Sequence, residues 1–65
     1  MDAKKIGLRL VKLRGNKTQN EVAKAIGVSQ SVYCMYENGQ RIPSDTVKIE
    51  IAKYYKKTVQ YIFFA

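Results

Sequence analysis

Cys34 is the only thiol in the 65-residue chain, and there is no histidine. A single thiol allows no internal disulfide and no thiolate metal site. Without histidine, a zinc site of the usual kind and any Ser/His or Cys/His nucleophile pair are excluded. An enzyme is therefore not expected, and neither is a cofactor. What the chain has in abundance is positive charge: 12 Lys and Arg against 5 Asp and Glu, a formal net charge of +7. The sequence pI is about 9.8. A field of that sign on so small a body concentrates polyanions, and nucleic acid is the commonest of them in a cytoplasm. Charge alone also fits a solubilising surface or a basic face for an acidic protein partner.

The elements that position these cations read as helices. Ile6, Leu10 and Leu13 fall on one stripe of a helix from about Asp2 to Arg14, with Lys5, Arg9 and Lys12 on another face. Gly15-Asn16 ends it. Thr18-Gln19-Asn20-Glu21 is a capping box that opens a second helix with Val22, Ala23 and Ile26 buried, and Gly27 stops it. Ser29 caps a third helix to about Glu37, which carries Val32, Tyr33 and Tyr36 and ends at Asn38-Gly39. Arg41-Ile42-Pro43 is extended, since proline biases its predecessor away from helix. Ser44 caps a fourth helix to about Tyr55, with Val47, Ile51, Ala52 and Tyr55 inward. Thr58 caps a last short helix with Val59, Ile62 and Phe63 as core. No segment alternates with the period of a strand, so the expected fold is all-α, five short helices in a single domain over residues 1–65.

The chain lacks a run of about 20 apolar residues that could span a membrane. Its first residues lack the pattern of a signal peptide, so a cytoplasmic location is expected. No small-molecule ligand is evident.

The informative stretch is Gln19 to Gly39: two helices too short to persist alone, joined by a turn of about three residues around Gly27-Val28-Ser29. Ala23 lets them cross closely, Gly27 permits the turn, and Val28, Tyr33 and Tyr36 fill the angle. This is a helix-turn-helix, whose second helix can enter a groove about 12 Å wide.

The run Thr18-Gln19-Asn20-Glu21-Val22-Ala23-Lys24-Ala25-Ile26-Gly27-Val28-Ser29-Gln30-Ser31, followed by Tyr36-Glu37-Asn38-Gly39, closely resembles the Cro/repressor-type (Xre-like) helix-turn-helix family of phage repressors and bacterial regulators. Ile42-Pro43-Ser44 and Ile51-Ala52-Lys53 extend the resemblance through the fourth helix. It implies a lambda-repressor-like DNA-binding domain, and for the protein a transcriptional regulator of phage or prophage repressor type, acting on double-stranded DNA. Gln30, Ser31, Cys34 and Met35 then occupy base-reading positions. A glutamine amide can pair with adenine N6 and N7, and Met35 can touch a thymine methyl. Cys34 fits equally well as a half-buried small hydrophobe. Gln19 would hydrogen-bond a phosphate and brace the recognition helix, its alternative being a solvated first-turn residue. Lys17 and the loop Asn38, Gly39, Gln40 and Arg41 would hold phosphates, the loop through amide N–H groups and a cation. Arg14 and Glu37 would form an architectural ion pair.

The chain also departs from the family. Its Gly15-Asn16-Lys17 connection is short, Leu8 and Val11 are apolar where relatives carry charge, Tyr33 is larger than the usual Ile or Val, and Lys57 stands for a valine. The recognition helix has no Arg or Lys, which disfavours guanine contacts and points to A·T-rich positions. Relatives bind palindromic sites as homodimers, and Val59–Phe64 is the expected dimer contact. A competing expectation is a protein-interaction module that uses Leu8, Val11 and Tyr61-Ile62-Phe63-Phe64.

Overall fold

Asp2 starts the first helix: its carboxylate accepts the backbone N–H groups of Lys4 at 3.0 Å and Lys5 at 3.2 Å. The computed structural model describes residues 1–65, with helix α1 at Ala3–Arg14, α2 at Gln19–Ile26, α3 at Gln30–Glu37 and α4 at Asp45–Tyr55, then a π-helical turn at Gln60–Phe64. There are five helices and no strand, an all-α architecture. No helix is long and apolar enough to cross a membrane.

Side-chain caps set the starts of the later helices. Thr18 accepts from the Glu21 N–H at 3.1 Å and Glu21 returns to the Thr18 N–H at 3.4 Å, completing the capping box. Ser29, Ser44 and Thr58 hydroxyls accept from Val32, Val47 and Tyr61 N–H groups in the same way. These bonds satisfy amides that a helix leaves without an internal partner.

Three ends share a left-handed residue with a six-to-one backbone bond. The Val28 N–H donates to the Ala23 carbonyl past Gly27, the Gln40 N–H to Met35 past Gly39, and the Lys57 N–H to Ala52 past Lys56. At α3 only Gly39 takes the positive φ; Asn38 stays right-handed at −83°. Lys56 holds φ +57° without being glycine, a position sequence reading passes over.

The core contains Ile6 and Leu10 from α1, Val22, Ala23 and Ile26 from α2, Tyr33 and Tyr36 from α3, Ile51 and Ala52 from α4, and Ile62 and Phe63 from the last turn. Leu13, Val28, Val32, Val47, Tyr55 and Val59 pack around it half-buried. Gly7 has the closest crossing: a Cβ there would strike the Glu37 carbonyl and lie 2.9 Å from the Tyr36 oxygen, so α1 rests directly on the end of α3.

Two long cations depart from the solvated role their charge suggests. Arg9 donates to the carbonyls of Tyr61 at 3.2 Å, Ile62 at 2.6 Å and Ala65 at 3.2 Å, closing the last turn that would otherwise show bare acceptors. Lys48 is buried, with its ammonium 5.9 Å from the Phe63 ring centroid, 5.5 Å from that of Phe64 and 3.5 Å from the Asp45 carboxylate. The expected dimer segment Val59–Phe64 is therefore split: Ile62 and Phe63 are core, while Tyr61 and Phe64 remain exposed on it.

Candidate nucleic-acid interface

The outer face of α3 is uncovered. Gln30 and Ser31 are exposed, Met35 is 39% exposed, and Cys34 is half-buried one turn on from Gln30. Positions 30, 31, 34 and 35 lie on adjoining rows of one helical side, opposite the buried Tyr33 and Tyr36. Cys34 is half-buried, and its Sγ accepts from Asn38 Nδ2 at 3.4 Å. The only charge on α3 is Glu37, which is buried.

Glu37 is the point where three helices meet. Arg14 Nε lies 2.6 Å from Oε2 and Nη2 donates to Oε1 at 3.2 Å, while Gln19 Nε2 donates to Oε1 at 2.9 Å. Arg14 Nη1 also donates to the Lys17 carbonyl at 2.8 Å, which ties down the short connection after α1. Burial pushes the Glu37 carboxyl up, but hydrogen bonds from Arg14 and Gln19 outweigh it and hold the group below the usual glutamate range. The same bond raises Arg14. Gln19 is thus not a freely solvated residue. One N–H is committed to Glu37, leaving the other N–H and the carbonyl for an outside ligand.

Beneath this network, Tyr33 and Tyr55 hydroxyls meet at 2.8 Å. Burial raises both phenols above their ordinary value. The larger side chain at position 33 is accommodated because its hydroxyl finds this partner on the far helix, so a buried polar group is not orphaned.

The loop after α3 differs from expectation in one respect. The N–H groups of Asn38, Gly39 and Gln40 donate to the carbonyls of Cys34, Tyr36 and Met35, so they are spent on ending the helix. What the loop presents outward is the exposed side chains of Asn38, Gln40 and Arg41 and the Arg41 N–H, which makes no backbone bond. Lys17 is exposed at the other margin, its ammonium 5.9 Å from the Tyr54 ring centroid.

Lys4 is a cation at this loop that sequence reading missed. A Cβ on Gly39 would lie 2.9 Å from Lys4 Cδ and 3.1 Å from its Cα, so the start of α1 lies against the loop. Nothing local in the sequence signals this contact, because it arises from the α1–α3 crossing.

A helix-turn-helix family model matches residues 3–62. Among solved structures, the SOS-response transcriptional repressor LexA from Eubacterium rectale is 25% identical, with a TM-score of 0.88 over 94% of this chain and 67% of that one. The restriction-modification controller protein C.AhdI from Aeromonas hydrophila is 28% identical, with a TM-score of 0.85 over 95% of this chain and 93% of that one. The DNA-binding domain of BldD is 25% identical, with a TM-score of 0.76 over 94% of this chain and 92% of that one. No curated protein matches the chain in sequence at a significant level. With 60 consecutive positions matched by the family model, and with the capped α2, the left-handed turn and the exposed α3 in place, the chain belongs to the Cro/repressor-type (Xre-like) helix-turn-helix family of DNA-binding transcriptional regulators.

Proposed function

We propose that residues 1–65 act as one sequence-specific DNA-binding unit that seats α3 in the major groove of an operator and represses transcription there. Gln30 and Ser31 meet base edges, Met35 meets a thymine methyl, and Cys34 sits at the rim of that contact. Lys17, Gln19, Asn38, Gln40 and Arg41, joined by Lys4, line the phosphates on either side, with Gly39 shaping the loop that presents them. The carrying observation is the exposed, uncharged outer face of α3 on a helix whose other side is clamped by the core and by the Glu37 network. Such a face reads bases through amide and apolar groups while flanking cations supply affinity. Two of the structural relatives are named as a transcriptional repressor and a controller protein, which supports a regulatory role; the phage or prophage repressor type is part of the proposal and rests on the motif resemblance alone.

The protein works in the cytoplasm as a homodimer on a palindromic site, half-sites about 34 Å apart. Phe64, 54% exposed and turned toward Lys48 of α4, is its contact at the C-terminal turn. Selection of duplexes from a random pool tests the reading. The expected product is a palindrome with A·T-rich contacted positions. Its affinity should fall with salt at a log–log slope of about −4 to −5 per monomer, as four to six phosphate contacts require. A pool that shows no enrichment after selection at low salt would contradict it.

A further inference from the structure

On α1, away from α3, a shallow groove of about 520 Å³ is lined by Lys5, Leu8, Arg9, Val11, Lys12 and Tyr61. Its apolar floor is unusually open: Leu8 is 71% exposed and Tyr61 48%. The far wall is fixed, because the Arg9 guanidinium is bound to three carbonyls of the last turn. The rim is wholly cationic. Lys5 and Lys12 stand two helical turns apart, about 10 Å along the axis, and the Lys57 ammonium lies 5.4 Å from the Tyr61 ring centroid. α1 contains no acidic residue, and the salt bridges of the chain engage Arg14, Lys48 and Lys53, leaving Lys5 and Lys12 uncompensated.

We propose that this groove docks an amphipathic, acidic helix of a different protein, with apolar side chains on Leu8, Val11 and Tyr61 and carboxylates two turns apart facing Lys5 and Lys12. A second copy of this chain does not fit. It is also at +7, and its own carboxylates are already used. Asp2 caps α1, Glu21 closes the capping box, Glu37 holds Arg14, Asp45 faces Lys48, and Glu50 faces Lys53. Nucleic acid could neutralise the lysines but would bury the aliphatic floor against phosphate and water, which gains nothing. A protein helix satisfies both, with the charges setting orientation and excluding wrong partners. The surface is separate from the α3 face, and the inference stands without the DNA reading.

The test uses the full chain, isotopically labelled, titrated with a synthetic helical peptide of about 18 residues that has Leu and Phe on one face and Glu on both flanks. A Lys-flanked counterpart, phosphatidylglycerol vesicles and a random duplex serve as comparison probes. Amide shifts confined to the stretch from Lys5 to Lys12 and to Tyr61, with the Glu peptide binding about tenfold tighter than the Lys peptide, support the proposal. The double variant Lys5→Glu/Lys12→Glu should invert that order, and Leu8→Asp should abolish binding. All three sites are exposed, and an unchanged spectrum elsewhere certifies the fold. No shift with the Glu peptide, equal binding of both peptides, or the same amides responding more strongly to vesicles or duplex would overturn it. Concentration-dependent shifts of the α1 amides from Lys5 to Lys12 without any peptide, beyond those of the Phe64 turn, would assign the groove to a second copy and overturn it equally.

Discussion

A Cβ on Gly7 would collide with the carbonyl of Glu37, so the backbone of α1 lies directly on the last turn of α3. That contact seats the last turn of the recognition helix against α1. Helix propensity alone favours alanine over glycine by about 1 kcal/mol. Overpacking against a backbone that cannot rotate away costs about 1–3 kcal/mol. Gly7→Ala is therefore expected to lose up to about 2 kcal/mol net in urea unfolding. A stabilised Gly7→Ala would mean that the crossing is looser than described.

Glu37 links folding to acid. Its carboxyl is held below its unfolded value, so its contribution is present above the unfolded pKa of about 4.3 and is lost as pH falls through the lower folded value. Removing the charge leaves Arg14 unpaired. Arg14 keeps 21% of its side-chain exposure, so Glu37→Gln should cost about 2–3 kcal/mol near neutrality, at or below the lower end for a buried pair. The gap between the two proteins should narrow below pH about 4. A gap that stays constant from pH 7 to pH 2 would contradict the network.

Tyr33 and Tyr55 act at the other end of the scale. Both phenols are raised, so the folded state holds their protons more firmly than the unfolded chain does. Their contribution is intact below an unfolded pKa of about 10 and is lost as pH rises beyond it. Tyrosinate absorbance should show these two groups ionising only together with loss of helical signal. Tyr33→Phe, which removes one hydroxyl of the pair, should cost about 0.5–1.5 kcal/mol and flatten the alkaline limb.

How much of this was legible beforehand follows from where each signal resides. Helix starts at Thr18, Ser29, Ser44 and Thr58, and stops at Gly27 and Gly39, were readable because caps are local chemistry within a few residues. The buried stripes through Ile6, Val22, Tyr33 and Ile51 followed from periodicity. Arg9 was not readable, since its carbonyl partners lie 52 to 56 positions away. Lys48 was hidden for the same reason: a lysine gives no sign that aromatic rings from another element will cover it. In the site, exposure of Gln30 and Ser31 agrees with the amphipathic pattern. The commitment of the Gln40 N–H to Met35, and of Gln19 to Glu37, depends on the three-dimensional ending of α3.

Lys56 is the one non-glycine residue in the left-handed region. A side chain there costs about 1–2 kcal/mol, offset by the closing bond from Lys57 to Ala52. Lys56→Gly should raise stability by about 1 kcal/mol, less whatever extra freedom glycine gives the unfolded chain. A lower melting temperature for Lys56→Gly would place a favourable contact at the lysine that the backbone does not reveal.

Phe64 tests the assembly. Phe64→Ser should leave the helical spectrum unchanged, because Ile62 and Phe63 supply the buried part of the last turn. Sedimentation at micromolar concentration should then shift from dimer to monomer. A wild-type chain that sediments as a monomer both with and without its selected duplex would refute the dimer.

The most direct measurement compares Gln30→Ala and Lys17→Ala with the wild type on the selected duplex and on a duplex mutated at one contacted base pair. Gln30→Ala should lose about 1–3 kcal/mol on the selected site and cease to distinguish the mutated one. Lys17→Ala should weaken both duplexes equally and reduce the salt slope by about one. Equal behaviour of Gln30→Ala and wild type on both duplexes would show that α3 does not read bases.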